Sequence, residues 1–342
     1  MQLTHILYTA INAVLPIILL ILLGYLLRKK GFLTENFVKI GNKLVFNVCL
    51  PSMLFINVYD IESFASIQWD IVIYAVMAVF VIFIIGLVMA VVTTDVAERR
   101  GALWQCTFRS NFAIIGLSLA GALGSNDALG VAAVVSAFTI PVFNILGVIA
   151  LTVFIKKEGQ EHTDIIGILK NIAKNPLIIG VMLGLLCLGI RALQVQQFGE
   201  AIFTLNKQTK FLYTSLKNLK AIASPLALLV LGGQFEFSAV KGLRKEIIVG
   251  TVGRIVLAPL VGIGGAVLLS SFTPLLSCGV NEYPALIALF GSPVAVSSAV
   301  MAGAMGNDEQ LATQLVVWTS ICSIATIFLI VCLLMAAGLL AV

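Results

Sequence analysis

The sequence predicts an all-α membrane protein of ten transmembrane helices, arranged as a 5+5 inverted repeat with crossed, broken helices four and nine. Three observations carry that prediction. Of 342 residues, 60% are hydrophobic and 11% charged, whereas soluble domains carry about a quarter charged residues. Apolar runs long enough to cross a bilayer recur along the whole chain. Two of those runs are interrupted by polar or helix-breaking residues, Phe108-Arg109-Ser110-Asn111-Phe112-Ala113-Ile114-Ile115-Gly116 and Phe290-Gly291-Ser292-Pro293-Val294-Ala295. Breakable backbone at membrane depth is tolerated only where protein or a water-filled cavity receives it. Paired breaks in corresponding positions of two halves point to a substrate site.

The predicted spans lie at about 6–27, 38–58, 71–92, 102–124, 129–154, 175–193, 211–233, 247–270, 284–305 and 310–337. Met1-Gln2-Leu3-Thr4-His5 has no basic n-region, so the first run reads as a span and not as a cleaved signal. Loops after the odd-numbered helices of the first half, and after helix seven, are basic. They hold Arg28, Lys29, Lys30, Lys39 and Lys43, then Arg99, Arg100 and Arg109, then Lys156, Lys157, Lys170 and Lys174, then Lys241, Arg244 and Lys245. Basic loops stay in the cytoplasm, which puts both termini outside a cytoplasmic (inner) membrane. The acidic connector after helix two (Asp60, Glu62, Asp70) agrees. The exception is 191–220, with five basic residues, which reads as a short amphipathic external helix leading into span seven. Residues 1–155 form the first repeat, 156–174 a cytosolic linker and 175–342 the second repeat.

Internal similarity is weak but ordered. Pro16-x7-Gly24 pairs with Pro176-x7-Gly184, and Pro51-Ser52-Met53-Leu54 with Pro225-Leu226-Ala227-Leu228. Ser110 aligns with Ser292, Asn111 with Pro293 and Ala113 with Ala295, followed by Gly-Ala runs in both copies. An odd number of helices per half makes the second half enter the membrane from the opposite face.

Several functions are excluded. The six cysteines are scattered through apolar segments without a Cys-x-x-Cys and read as small buried hydrophobes. The two histidines, His5 and His162, build no zinc site. A membrane enzyme needs a nucleophile, paired acids or metal ligands at depth, and neither His-Glu-x-x-His nor Gly-x-Ser-x-Gly occurs. There is no Walker motif, and the charge of +5 is too small for a nucleic-acid footprint. What stands is a secondary transporter or uniporter of a small organic anion, such as a dicarboxylate. The alternatives are a channel or receptor-like protein, or a sodium-coupled carrier of a larger amphipathic anion. No cofactor is implied, and the sequence leaves Na+ or H+ coupling open, because no Asp or Glu stands in the middle of a span.

The candidate substrate residues are Ser110, Asn111 and Gly116 at the first break and Ser292, Pro293 and Ser297 at the second. Asn144 and Arg254 join them from neighbouring spans. Pro293 has no N–H to give, so the carbonyl of Leu289 loses its helical partner. Helix N-termini carry partial positive charge and favour an anion. Arg254 reads as the one basic residue well inside an apolar span, with snorkelling, structural pairing or anion attraction as its roles. Pro51 and Pro225 read as shaping a scaffold wall opposite the breaks.

Asn42-x8-Pro51, Arg109-Ser110-Asn111-x4-Gly116, Asn175-Pro176, Arg254-x4-Pro259 and Ser292-Pro293, in this order, resemble the auxin efflux carrier family. That family includes plant PIN-FORMED carriers and bacterial organic-acid permeases. The resemblance runs over essentially the whole chain and implies the fold of cation/proton antiporters and bile-acid transporters. It also implies a scaffold domain from helices 1, 2, 6 and 7, a transport domain from helices 3–5 and 8–10, an elevator cycle and a homodimer. The long cytosolic loop of plant members is missing, so auxin itself is not implied.

Overall fold

The computed structural model describes residues 2–60, 68–124, 126–155 and 174–340. The cytosolic linker expected over 156–174, and His162 within it, lie outside the described residues apart from Lys174. The chain is all-α. Helix α1 spans Gln2–Lys29, α2 Glu35–Tyr59 and α3 Trp69–Thr93. Helix α4 spans Ala97–Phe108. After a gap the chain is helical again from Phe112, with α5 over Leu117–Leu123. Helix α6 covers Asn126–Val153, α7 Pro176–Phe198, α8 Leu205–Gln208 and α9 Lys210–Gln234. Next come α10, Ala239–Gly242, and α11, Arg244–Phe272. Helix α12, Glu282–Leu286, runs on as a wide turn to Gly291. The last two are α13, Ser297–Ala304, and α14, Glu309–Ala336.

This corrects the predicted architecture. Among the described residues, seven helices are long and apolar enough to cross a membrane: α2, α3, α6, α7, α9, α11 and α14. The expected ten spans, and with them the 5+5 inverted repeat, are not formed. The physical reason is clearest at the two interrupted segments. Neither 97–123 nor 282–304 is one rod. Each is divided into helical pieces of 12 residues or fewer, and a spanning helix needs about 20. The segment after Arg191 also differs from its expected form. Helix α7 continues to Phe198, where Gly199 at φ 77° ends it in the left-handed conformation that glycine adopts without strain. The next helix is the four-residue α8, too short to be an amphipathic surface helix.

Local chemistry explains the ends and bends. The Thr34 hydroxyl accepts from Phe37 N and starts α2, and the Asn175 amide oxygen accepts from Leu177 N and starts α7 ahead of Pro176. Asp308 caps α14 through Leu311 N. Each is a small polar N-cap, a group whose loss typically costs about 1 kcal/mol. Within α2, Val45–Cys49 is a π turn just before Pro51. The proline cannot donate to the Asn47 carbonyl four residues back, and the neighbouring Ser52 hydroxyl bonds Val48 O at 2.8 Å.

Packing divides the helices into two groups. In one, α1 lies along α9, and α2 packs on α7 and α9. A Cβ on Gly24 would sit 2.2 Å from Leu229 O, so the backbones of α1 and α9 touch. In the other, α3, α4 and α6 pack together, with α11, α13 and α14 closing around α4. Helix α1 also meets α14.

Candidate functional site

The two interrupted segments cross where they are least helical. Ser110 and Val294 form an isolated antiparallel bridge. Asn111 N donates to Pro293 O at 2.9 Å, and Ala295 N donates to Arg109 O at 3.2 Å. Backbone groups freed by breaking one helix are therefore satisfied by the other, as buried amides require. Thr319 of α14 adds its hydroxyl as acceptor for Val294 N at 3.1 Å. Close approach is set by Gly116, where a Cβ would lie 2.7 Å from Ala288 O. Gly116→Val should destabilise the protein by about 1–3 kcal/mol, read as a lower melting temperature in detergent. A variant as stable as the parent would show that the crossing is not tight at this point.

Arg254 locks the crossing from one side. It is fully buried and donates four hydrogen bonds to backbone. Nε bonds Ser292 O at 2.9 Å, Nη1 bonds Phe108 O at 3.0 Å, and Nη2 bonds Leu289 O and Phe290 O at 3.0 and 2.9 Å. The Leu289 carbonyl orphaned by Pro293 is among them. Both first half-helices thus end on one guanidinium.

On the other side, a cavity opens between the two groups of helices. One wall is Leu50, Met53 and Leu54 of α2, Leu177 of α7, and Ser224 and Ala227 of α9. The other is Arg109, Ser110, Asn111 and Ala113, then Ile140, Phe143 and Asn144 of α6, and Ala295, Val296 and Ser297. Among the described residues, no acidic one lines it. Arg109 is 5% exposed and makes no ion pair among the described residues. Its Nη2 donates to Asn144 Oδ1 at 2.7 Å, and its Nη1 lies against the Met301 sulfur. A thioether is a weak acceptor, so this charge is poorly matched by protein. The Ser110 hydroxyl and the Asn111 side-chain nitrogen are buried without a hydrogen-bond partner among the described residues. Arg109, Ser110 and Asn111 thus line one side of a space walled otherwise by apolar residues and by Asn144, Ser224 and Ser297.

The candidate residues divide accordingly. Ser110, Asn111, Asn144 and Ser297 line the cavity together. Gly116 and Pro293 belong to the crossing itself, and Ser292 is buried with its hydroxyl on Ala288 O at 2.6 Å. Arg254 is on the carbonyl side of the crossing and is absent from the cavity lining. Pro225 sits in α9 between Ser224 and Ala227, which do line the cavity, and Pro51 packs its carbonyl against Gly180 of α7. Arg109 was missed by sequence reasoning, which counted it with the loop cations and took Arg254 as the one basic residue deep in a span. The signal was available. Helix α4 starts at Ala97 and runs 12 residues to Phe108, which at 1.5 Å per residue carries Arg109 about 18 Å inward.

A multi-pass membrane protein whose polar cavity lies between two packed helical groups, beside a pair of interrupted helices, has the architecture of a solute carrier. The family match agrees. The family described as "Membrane transport protein" matches residues 9–331, and the chain belongs to it, within the auxin efflux carrier family. It is a transporter and not an enzyme. No curated protein sequence matches the chain.

Proposed function

We propose that the chain is a secondary carrier or uniporter of a small organic anion, such as a dicarboxylate. The observation that carries this reading is Arg109, a buried arginine that, among the described residues, has no ion pair and lines a cavity with no acidic residue in its wall. An uncompensated buried charge is costly, and a bound carboxylate would relieve that cost with a forked hydrogen-bond pair. Ser110 Oγ and Asn111 Nδ2 supply the next donors, and Ser297 and Asn144 complete the polar wall. Helices α1, α2, α7 and α9 form the static scaffold. Helices α3 to α6 and α11 to α14 carry the anion past it in an elevator-type cycle, because the cavity lies on the seam between these groups. The resemblance adds a homodimer, and the basic loops support residence in a cytoplasmic membrane.

Proteoliposome uptake and counterflow with labelled mono- and dicarboxylates test this. Saturable exchange supports a carrier, and a non-saturating current would replace it with a channel. Asn111→Ala removes one donor to a charged ligand and should weaken binding by about 1.5–3 kcal/mol, with dimerisation and melting temperature unchanged. Unaltered affinity for every acid transported would remove Asn111 from the site.

A further inference from the structure

We propose that Arg254 is a resident counter-cation of the crossing, seated in a carbonyl cluster that would otherwise call for an inorganic cation. Anion binding at the cavity then needs no alkali-metal ion. The inference rests on the anion-carrier reading and concerns a different side of the crossing from the cavity.

The last carbonyls of a helix have no partner within it, and a helix C-terminus carries about half a negative charge. Two such ends meet here, α4 at Phe108 and the run from Glu282 at Gly291. Together they amount to about one negative charge, and Pro293 deepens the deficit by leaving Leu289 O without its helical donor. In broken-helix carriers, unwound carbonyls of this kind coordinate coupling cations. Here one guanidinium takes four of them at 2.9–3.0 Å. It is a single permanent charge with a rigid fork of donors, and its weak hydration lets it be buried. Among the described residues no carboxylate pairs with it, so its charge is spent on the carbonyl ends alone. With those negative poles neutralised, the positive field of Arg109 and of the second half-helix starts reaches the cavity undiminished.

The test uses the purified full-length chain in detergent, with malonate and succinate as probes. Binding is followed by calorimetry in sodium, potassium, lithium and choline chloride at equal ionic strength. Wild type should bind with the same affinity, within about twofold, in all four salts. Arg254→Met leaves the carbonyl ends uncovered and should weaken binding in choline chloride by about tenfold or more, with partial recovery in an alkali chloride. Arg254→Lys keeps the charge and should restore independence from the salt cation. A merely structural arginine would give variants whose binding is insensitive to which cation is present. Wild-type binding that requires sodium, potassium or lithium overturns the inference while leaving the anion reading standing. So does an Arg254→Met protein that binds as wild type does. If Arg254→Met does not fold, the wild-type salt series and the lysine variant decide. No binding of either acid in any salt takes down the anion reading and this inference together.

Discussion

Arg109→Met is expected to abolish saturable binding and transport while leaving the empty protein as stable as before, or more so. The two effects have opposite signs for one reason. In the empty protein the guanidinium is desolvated, bonded to Asn144 Oδ1 and placed against a thioether. An unpaired buried charge costs roughly several kcal/mol of desolvation, and an apolar side chain of similar length avoids that cost while losing one charged hydrogen bond worth about 1.5–3 kcal/mol. With an anion bound the balance reverses, because a charge pair about 4 Å apart at the effective dielectric of a protein interior is worth about 4 kcal/mol. Affinity should therefore fall by about a hundredfold to a thousandfold. A thermal-shift titration reads both effects in one experiment. The unliganded melting temperature should stay level or rise, and the acid-dependent increase should vanish. A variant that loses stability without ligand, yet keeps its acid-dependent shift, would make Arg109 a structural group and leave the cavity without its anchor.

How much of this was legible in the sequence depends on the range of the interaction. Composition and hydropathy are local, and they identified a multi-pass helical membrane protein. Ser110, Asn111 and Ser292 stand out because polar groups are rare in such runs, and the chain does leave the helix at each of them. The count of spans failed for a related reason. A hydrophobic window registers apolar length and does not register how short the pieces of a cut rod are, so 102–124 and 284–305 were counted as spans although both were expected to be broken. Arg109 shows a second limit. It was assigned by its neighbours Arg99 and Arg100, which do sit at the helix start, although the helical rise carries it far from them. Arg254 could be seen to be deep, but its role depends on Phe108, Leu289, Phe290 and Ser292, one of them 146 positions away. The second wall of the cavity was expected only through Pro51 and Pro225, and the neighbours that line it, Met53 and Ser224 among them, depend on the tertiary packing that brings α2 and α9 to the break.

Hydrogen bonds between the two groups of helices bear on how they move. At the start of α14, the Glu309 carboxylate accepts from Asn42 Nδ2 of α2 at 2.5 Å and from Gln234 Nε2 of α9 at 2.7 Å. Gln310 and Gln314 donate from the same helix to Gln234 O and Glu236 O, each at 2.7 Å. The first three bonds cross from one group of helices to the other, and the fourth reaches the connector after α9. If the groups slide, those three must break in one half of the cycle. Exchange with water keeps the net cost near 0.5–1.5 kcal/mol for each neutral bond and about 1.5–3 for each bond to the carboxylate, which thermal motion can supply. Cysteines at Asn42 and Glu309, in a background without the six native cysteines, should therefore switch transport when bridged by a short thiol cross-linker. Uptake should stop on cross-linking and return on cleavage, while acid binding measured on the bridged protein persists. Binding is the informative control, because it separates a jammed carrier from an unfolded one. Normal uptake by the bridged protein would mean that α14 and α2 never part, and the sliding of one group against the other would have to be abandoned even with the anion site intact.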